Sequence, residues 1–90
     1  MDRTGFESDL RRDGYAEVFE GSMPADTHRP THVHPWDVRG LVLTGEFRLG
    51  CDGSDRSYGP GETFTLARDV PHTEGAGPAG TTYLVGRRRA

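Results

Sequence analysis

From Tyr15 onward, apolar residues come in short bursts broken by glycine, proline and aspartate. Tyr15–Glu20 is brief, aromatic and bounded by Gly14 and Gly21, which suits a strand. Pro24–Pro30 reads as a polar loop, and Thr31–His34 as an extended stretch, since a residue before proline is pushed toward β geometry. Val38–Leu43 is a β-rich run ending at Thr44-Gly45, and Phe47 and Leu49 then alternate with Glu46, Arg48 and Gly50, the period of a half-buried strand. Asp52-Gly53 predicts a tight turn into Ser54–Tyr58, and Gly59-Pro60-Gly61-Glu62 a second turn into the alternating Thr63–Leu66. Val70–Thr73 enters a further strand, Gly75–Gly80 reads as a Gly/Pro-rich loop, and Thr81–Val85 closes the series. One stretch with helical spacing precedes them. Over Thr4–Arg12, Phe6 and Leu10 fall on one helical face, Thr4 with Glu7 reads as a capping box, and Gly14 ends the segment. Strands recurring about every 8–12 residues with turns between them predict an all-β sandwich or barrel behind a short N-terminal helix.

Length and composition narrow this picture. Ninety residues fit one domain over 1–90, with a helical segment at 1–14 and a barrel at 15–87. The formal net charge of −3 offers no broad grip on nucleic acid, and Arg87, Arg88 and Arg89 read as a solvated basic tip. All eleven cationic side chains are Arg, a compositional bias with no functional content. Cys51 is the one cysteine, so no internal disulfide forms. No apolar run approaches a membrane span, and the acidic N-terminus (Asp2, Glu7, Asp9) is unlike a signal peptide, so a cytoplasmic protein is expected.

The candidate chemistry lies in the histidines. His32 and His34 stand at i and i+2, on one face of a strand and about 6.6 Å apart at the backbone. Imidazoles at that spacing can reach one ion at roughly 2.0–2.1 Å if a neighbouring strand brings a third, and His72, after Pro71, is the candidate. A bare His-x-His is as often just the polar face of a sheet. The surrounding spacing favours the metal. Thr31-His32-Val33-His34-Pro35-Trp36-Asp37 followed by Leu41–Phe47 resembles the first motif of the cupin family, and Gly61-Glu62 with His72 eleven residues after the glycine resembles the second.

The resemblance implies a jelly-roll barrel of six to eight antiparallel strands, with a divalent metal inside toward one mouth, held by His32, His34 and His72. The family's usual fourth ligand is a Glu four residues after the second His, and Val38 stands there. Asp37, one residue early, is the nearest acid. A one-residue offset turns a strand side chain to the opposite face, so Asp37 reaches the ion only if Pro35 and Trp36 bend or bulge the chain; otherwise it serves at the rim. Ala67 and Asp69 replace the Pro and Gly common before the second-motif histidine, which predicts a looser turn, and Ala76 stands where Asn is frequent. Three imidazoles suit Fe, Zn, Ni, Mn or Cu and do not choose among them. Without a carboxylate, the ion would be a stronger Lewis acid and accept anions more readily.

The remaining polar residues have plainer readings. His28 falls in the Pro-flanked loop, Trp36 in the core or lining the mouth, and Tyr15, Tyr58 and Tyr83 in core or rim. Cys51 reads as a small strand residue, and Arg39, by parity, as pointing inward to meet a carboxylate substrate. The resemblance implies a metal-binding single-domain cupin acting on a small molecule by dioxygenase, isomerase or lyase chemistry. The alternative is a non-catalytic module that senses a metal or small ligand. The resemblance also makes a homodimer through a free strand edge one available assembly. Neither a nucleic acid nor a membrane is expected as partner.

Overall fold

A computed structural model describes residues 1–89. The chain forms α1 (Arg3–Arg12), β1 (Glu17–Met23), β2 (His28–His32), β3 (Asp37–Cys51), β4 (Ser54–Tyr58), β5 (Thr63–Leu66) and β6 (His72–Arg88). All strand pairs are antiparallel. The expected all-β jelly roll with a short N-terminal helix is what forms.

Two long strands organise it. β3 and β6 pair along nearly their whole length, from Asp37 opposite Arg88 to Cys51 opposite His72. Each serves two layers. Their Asp37-side halves sit between β1 and β5; their His72-side halves sit between β2 and β4. The change of layer falls where Gly45 faces Thr81 but Phe47 faces Ala76, so residues 77–80 of β6 bulge opposite Glu46 alone. Gly45 (φ 73°) and Gly80 (φ 74°) sit at this corner in the left-handed region, and a Cβ on Gly45 would strike the Gly80 carbonyl. The stretch Gly75–Gly80, expected to be a loop, is therefore the bend of a long strand. The ladder does not close into a ring, so the barrel is a folded two-layer sandwich.

Alternation decides what each face meets. Val38, Val42, Tyr83 and Val85 point between the layers, where Phe47 stacks on Phe64 at 4.4 Å and meets Tyr83 edge-on at 5.0 Å. The opposite parity, Leu41 and Leu84, faces outward and is covered by Phe6 and Leu10 of α1 with Tyr15. The helix starts one residue earlier than expected. Asp2 rather than Thr4 is its cap, accepting from the Gly5 N–H at 2.8 Å, while Glu7 pairs with Arg3 at 2.9 Å. β2 begins inside the stretch read as a loop. Pro30 is tolerated there because β2 is an edge strand whose register with β6 shifts between Arg29 and His32. No helix of the described residues is long and apolar enough to cross a membrane.

Candidate metal centre

The His72 end of the sandwich gathers the histidines. His32, the last residue of β2, lies directly opposite His72, the first of β6. Residues opposite each other in an antiparallel pair share a face, so both rings point between the layers. His34, two residues past β2, keeps the same parity, and its backbone is fixed by the Asp69 N–H donating to its carbonyl at 2.8 Å. Asp69 adopts φ 62°, the conformation a glycine would take, so the turn before His72 is tight and not loosened by the replacement. The ring centroids lie 4.9 Å (His32–His34), 4.4 Å (His32–His72) and 5.0 Å (His34–His72) apart.

The structure adds a residue that sequence reasoning missed. Glu74 is two residues after His72 on β6 and on the same face. One ligand atom from each of His32, His34, His72 and Glu74 lies within 4.8 Å of all the others. The signal was present: His72-Thr73-Glu74 repeats the i, i+2 spacing of His32-Val33-His34.

Hydrogen bonding sets which ring nitrogen faces inward. Nδ1 of His32 lies 2.7 Å from the Pro30 carbonyl and Nδ1 of His72 lies 3.0 Å from the Val70 carbonyl. A carbonyl only accepts, so both Nδ1 atoms carry the proton and donate. In the neutral rings this leaves a lone pair on each Nε2. Those Nε2 atoms face the Glu74 carboxylate at 3.7 Å (His32) and 3.1 Å (His72), and Nε2 of His34 lies 3.8 Å away. With both rings neutral, the Nε2 atoms of His32 and His72 and the carboxylate are acceptors facing one point; a doubly protonated His72 ring would instead donate its Nε2–H to Glu74. The neutral arrangement is a donor set for a cation, with the outer nitrogens of two rings tied down as metal-bound histidines commonly are. The four residues fit a divalent ion. Burial lowers the His34 pKa from the ordinary imidazole value, with the other two histidines acting in the same direction and the charge of Glu74 opposing. Arg29 reaches Glu74 at 3.2 Å.

Asp37 does not join this group. At the start of β3 it has the outward parity, opposite to Val38. Its carboxylate accepts from the Arg68 backbone N–H at 2.9 Å and pairs with the Arg68 and Arg88 guanidinium groups at 3.1 and 2.9 Å. These contacts hold its pKa well below the usual carboxylate range, led by the Arg68 side chain. The expectation of Asp37 beside the ion is corrected: no bend reverses its parity, and its lone pairs are committed. Arg39 is likewise outward, bound to Asp13 at 2.6 Å with its guanidinium over the Tyr15 ring, so it does not face a substrate inside the barrel. Cys51 is the cross-strand neighbour of His72, but burial raises its thiol pKa. His28 is exposed, on a strand instead of a loop.

Beside the cluster lies a cavity of about 100 Å³ whose walls include Phe19, Trp36, Phe47, Tyr83 and Arg87, together with His34 and Glu74. Trp36 stacks on His34 at 5.2 Å with the planes 12° apart. A larger hollow of about 290 Å³ between Asp26, Arg48 and Arg56 touches none of the four clustered residues.

Solved structures share this architecture. An RmlC-like cupin from Shewanella frigidimarina superposes with a TM-score of 0.71 at 20% identity, covering 81% of this chain and 65% of that one. The chain has the cupin fold. A protein of unknown function from Rhizobium leguminosarum matches the chain with a TM-score of 0.76 at 19% identity, over 81% of this chain and 69% of that one. The DMSP lyase DddQ from Ruegeria pomeroyi matches with a TM-score of 0.72 at 28% identity, over 79% of this chain and 36% of the lyase, so the chain spans about a third of that protein. No protein-family model and no curated protein matches the sequence.

Proposed function

We propose that His32, His34, His72 and Glu74 hold one divalent metal ion, and that this cupin acts on a small molecule by dioxygenase, isomerase or lyase chemistry. The observation behind this reading is the ring of inward-facing acceptors. Ligand atoms of three imidazoles and a carboxylate lie within 4.8 Å of one another, a set suited to one cation, and two Nδ1–H groups already donate outward. A bound ion would supply Lewis acidity, polarising a carbonyl or activating water. Four protein donors fill a tetrahedral site but leave two positions on a six-coordinate ion, so catalysis points to iron, manganese or nickel ahead of zinc.

The chain's own residues supply the rest. The Pro30 and Val70 carbonyls hold the His32 and His72 rings in orientation. Arg29 offsets part of the Glu74 charge, and Trp36 covers one face of His34 against water. The cavity admits about three waters at roughly 30 Å³ each, hence a ligand of a few heavy atoms. The lyase among the structural neighbours supports the lyase class. The small cavity also favours a second reading, a non-catalytic module that binds a metal and a small ligand.

Metal analysis of the purified protein tests the site. About one ion per chain is expected for the wild type and for Asp37→Ala, and much less for the His32→Ala/His72→Ala double variant and for Glu74→Ala. Equal loading of wild type and double variant would end the proposal. Oxygen uptake by the iron-loaded protein with a panel of thiols and small acids separates a dioxygenase from a binding module.

A further inference from the structure

The cavity next to the cluster is lined by a buried N–H donor without an acceptor and by a guanidinium that no carboxylate among the described residues pairs with. The guanidinium of Arg87 lies 4.6 Å over the Phe19 ring and 4.3 Å over the Trp36 ring, held between two aromatic faces. Stacking of this kind engages the faces of the group and leaves its N–H edge free. Asp37 and Glu17 nearby are taken by Arg68 with Arg88 and by Arg89. Among the described residues no carboxylate forms an ion pair with Arg87 and no acceptor takes its N–H groups. The indole N–H of Trp36 is buried and also without an acceptor among the described residues. A buried donor is rarely left unpaired, so the Trp36 N–H calls for an acceptor from outside, and the half-exposed Arg87 guanidinium beside it offers that acceptor a positive charge. Glu74, the one acid on that wall, is already paired with Arg29.

Much of the remaining lining is apolar, made by Val38 (the cross-strand neighbour of Arg87), Phe47, Phe64 and Val85. From this pairing we infer that the cavity binds a short-chain carboxylate, with Arg87 as the residue that receives its carboxylate group. The planar fork of Arg matches two carboxylate oxygens, and the apolar wall accepts the short chain behind them. Charge favours the same class. A divalent ion with Glu74 carries one net positive charge, and Arg29 and Arg87 add to it. This inference deepens the proposed function and rests on it for the role of the ion, but the Arg87 contact is measurable with or without metal.

The test is titration of propionate, and of the neutral propionamide, into nickel-loaded and chelator-treated protein. It is followed by calorimetry and by fluorescence of Trp36, the one tryptophan of the chain. Propionate is expected to bind about tenfold or more tightly than propionamide in both forms, and to change Trp36 emission. Arg87→Met keeps an apolar stem between the rings and removes the charge; it should lose about tenfold for propionate, the worth of one charge-assisted contact, and little for propionamide. Arg87→Lys should recover part of the loss, and Arg56→Ala, outside the cavity, should bind as wild type. Circular dichroism checks that each variant is folded. Nickel content is read separately, so a protein that takes no nickel overturns the metal reading while the chelated arm still decides the role of Arg87. Equal affinity for propionate and propionamide, or unchanged propionate affinity in Arg87→Met, overturns the inference.

Discussion

Glu74→Gln should move stability in opposite directions with and without metal. In the metal-free protein, lone pairs on neutral His32 and His72 rings face a carboxylate that also only accepts, at 3.7 and 3.1 Å. Gln brings an NH₂ group with two donors into the same volume. One neutral hydrogen bond gained is worth about 0.5–1.5 kcal/mol. Against this stands the lost pair with Arg29, whose side chain is 46% exposed, worth about 0–1 kcal/mol. The balance is near zero to about 1 kcal/mol in favour of Gln. With about 2.1 cal/mol/K of unfolding entropy per residue over 90 residues, 1 kcal/mol is about 5 °C in the midpoint.

Metal reverses the order. At a concentration about 100 times the wild-type Kd, binding adds about 2.7 kcal/mol, or about 14 °C. If the lost carboxylate weakens binding about tenfold, the variant gains only about 1.4 kcal/mol, or about 7 °C. Thermal melts of both proteins in chelator and in nickel measure all four midpoints. The variant should equal or exceed the wild type in chelator and fall several degrees below it in metal. A variant that melts more than about 5 °C lower in chelator, or shifts with nickel as much as the wild type, would refute the account of facing acceptors.

Three further outcomes are expected. Asp37→Ala should lower the melting midpoint at pH 7 while leaving metal content unchanged; because the folded pKa of Asp37 lies below its unfolded value of 3.8, its contribution is present above that pH and fades as acid protonates it, so wild-type and variant midpoints should converge on acidification. His34 is held below its ordinary value of 6.5, so the unfolded chain takes up its proton first; stability of the metal-free protein should fall as pH drops below about 6.5, and His34→Phe should flatten that decline in melts between pH 8 and pH 5. Gly40→Ala would drive a methyl group into the Phe64 ring, an overpacking that costs about 1–3 kcal/mol and should appear as a midpoint about 5–15 °C lower.

What the sequence made readable is what depends on near neighbours. Alternation over Thr63–Leu66 and at Phe47 and Leu49 places those residues on the face where they are found, and Phe6 with Leu10 marks the helix that covers Leu41 and Leu84. The Asp52-Gly53 turn forms with both residues at positive φ. The same local rule put His32 and His34 on one face. The continuity of β6 through Gly75–Gly80 was hidden, because glycine and proline there look like a loop until the slipped pairing with β3 is known. Asp37 and Glu74 show the difference most sharply. Parity alone already disfavoured Asp37 and favoured Glu74, at i+2 from His72. What parity could not supply was the pairing that sets His72 opposite His32, a contact between residues forty positions apart, which alone turns two local pairs into one ring of four ligand atoms.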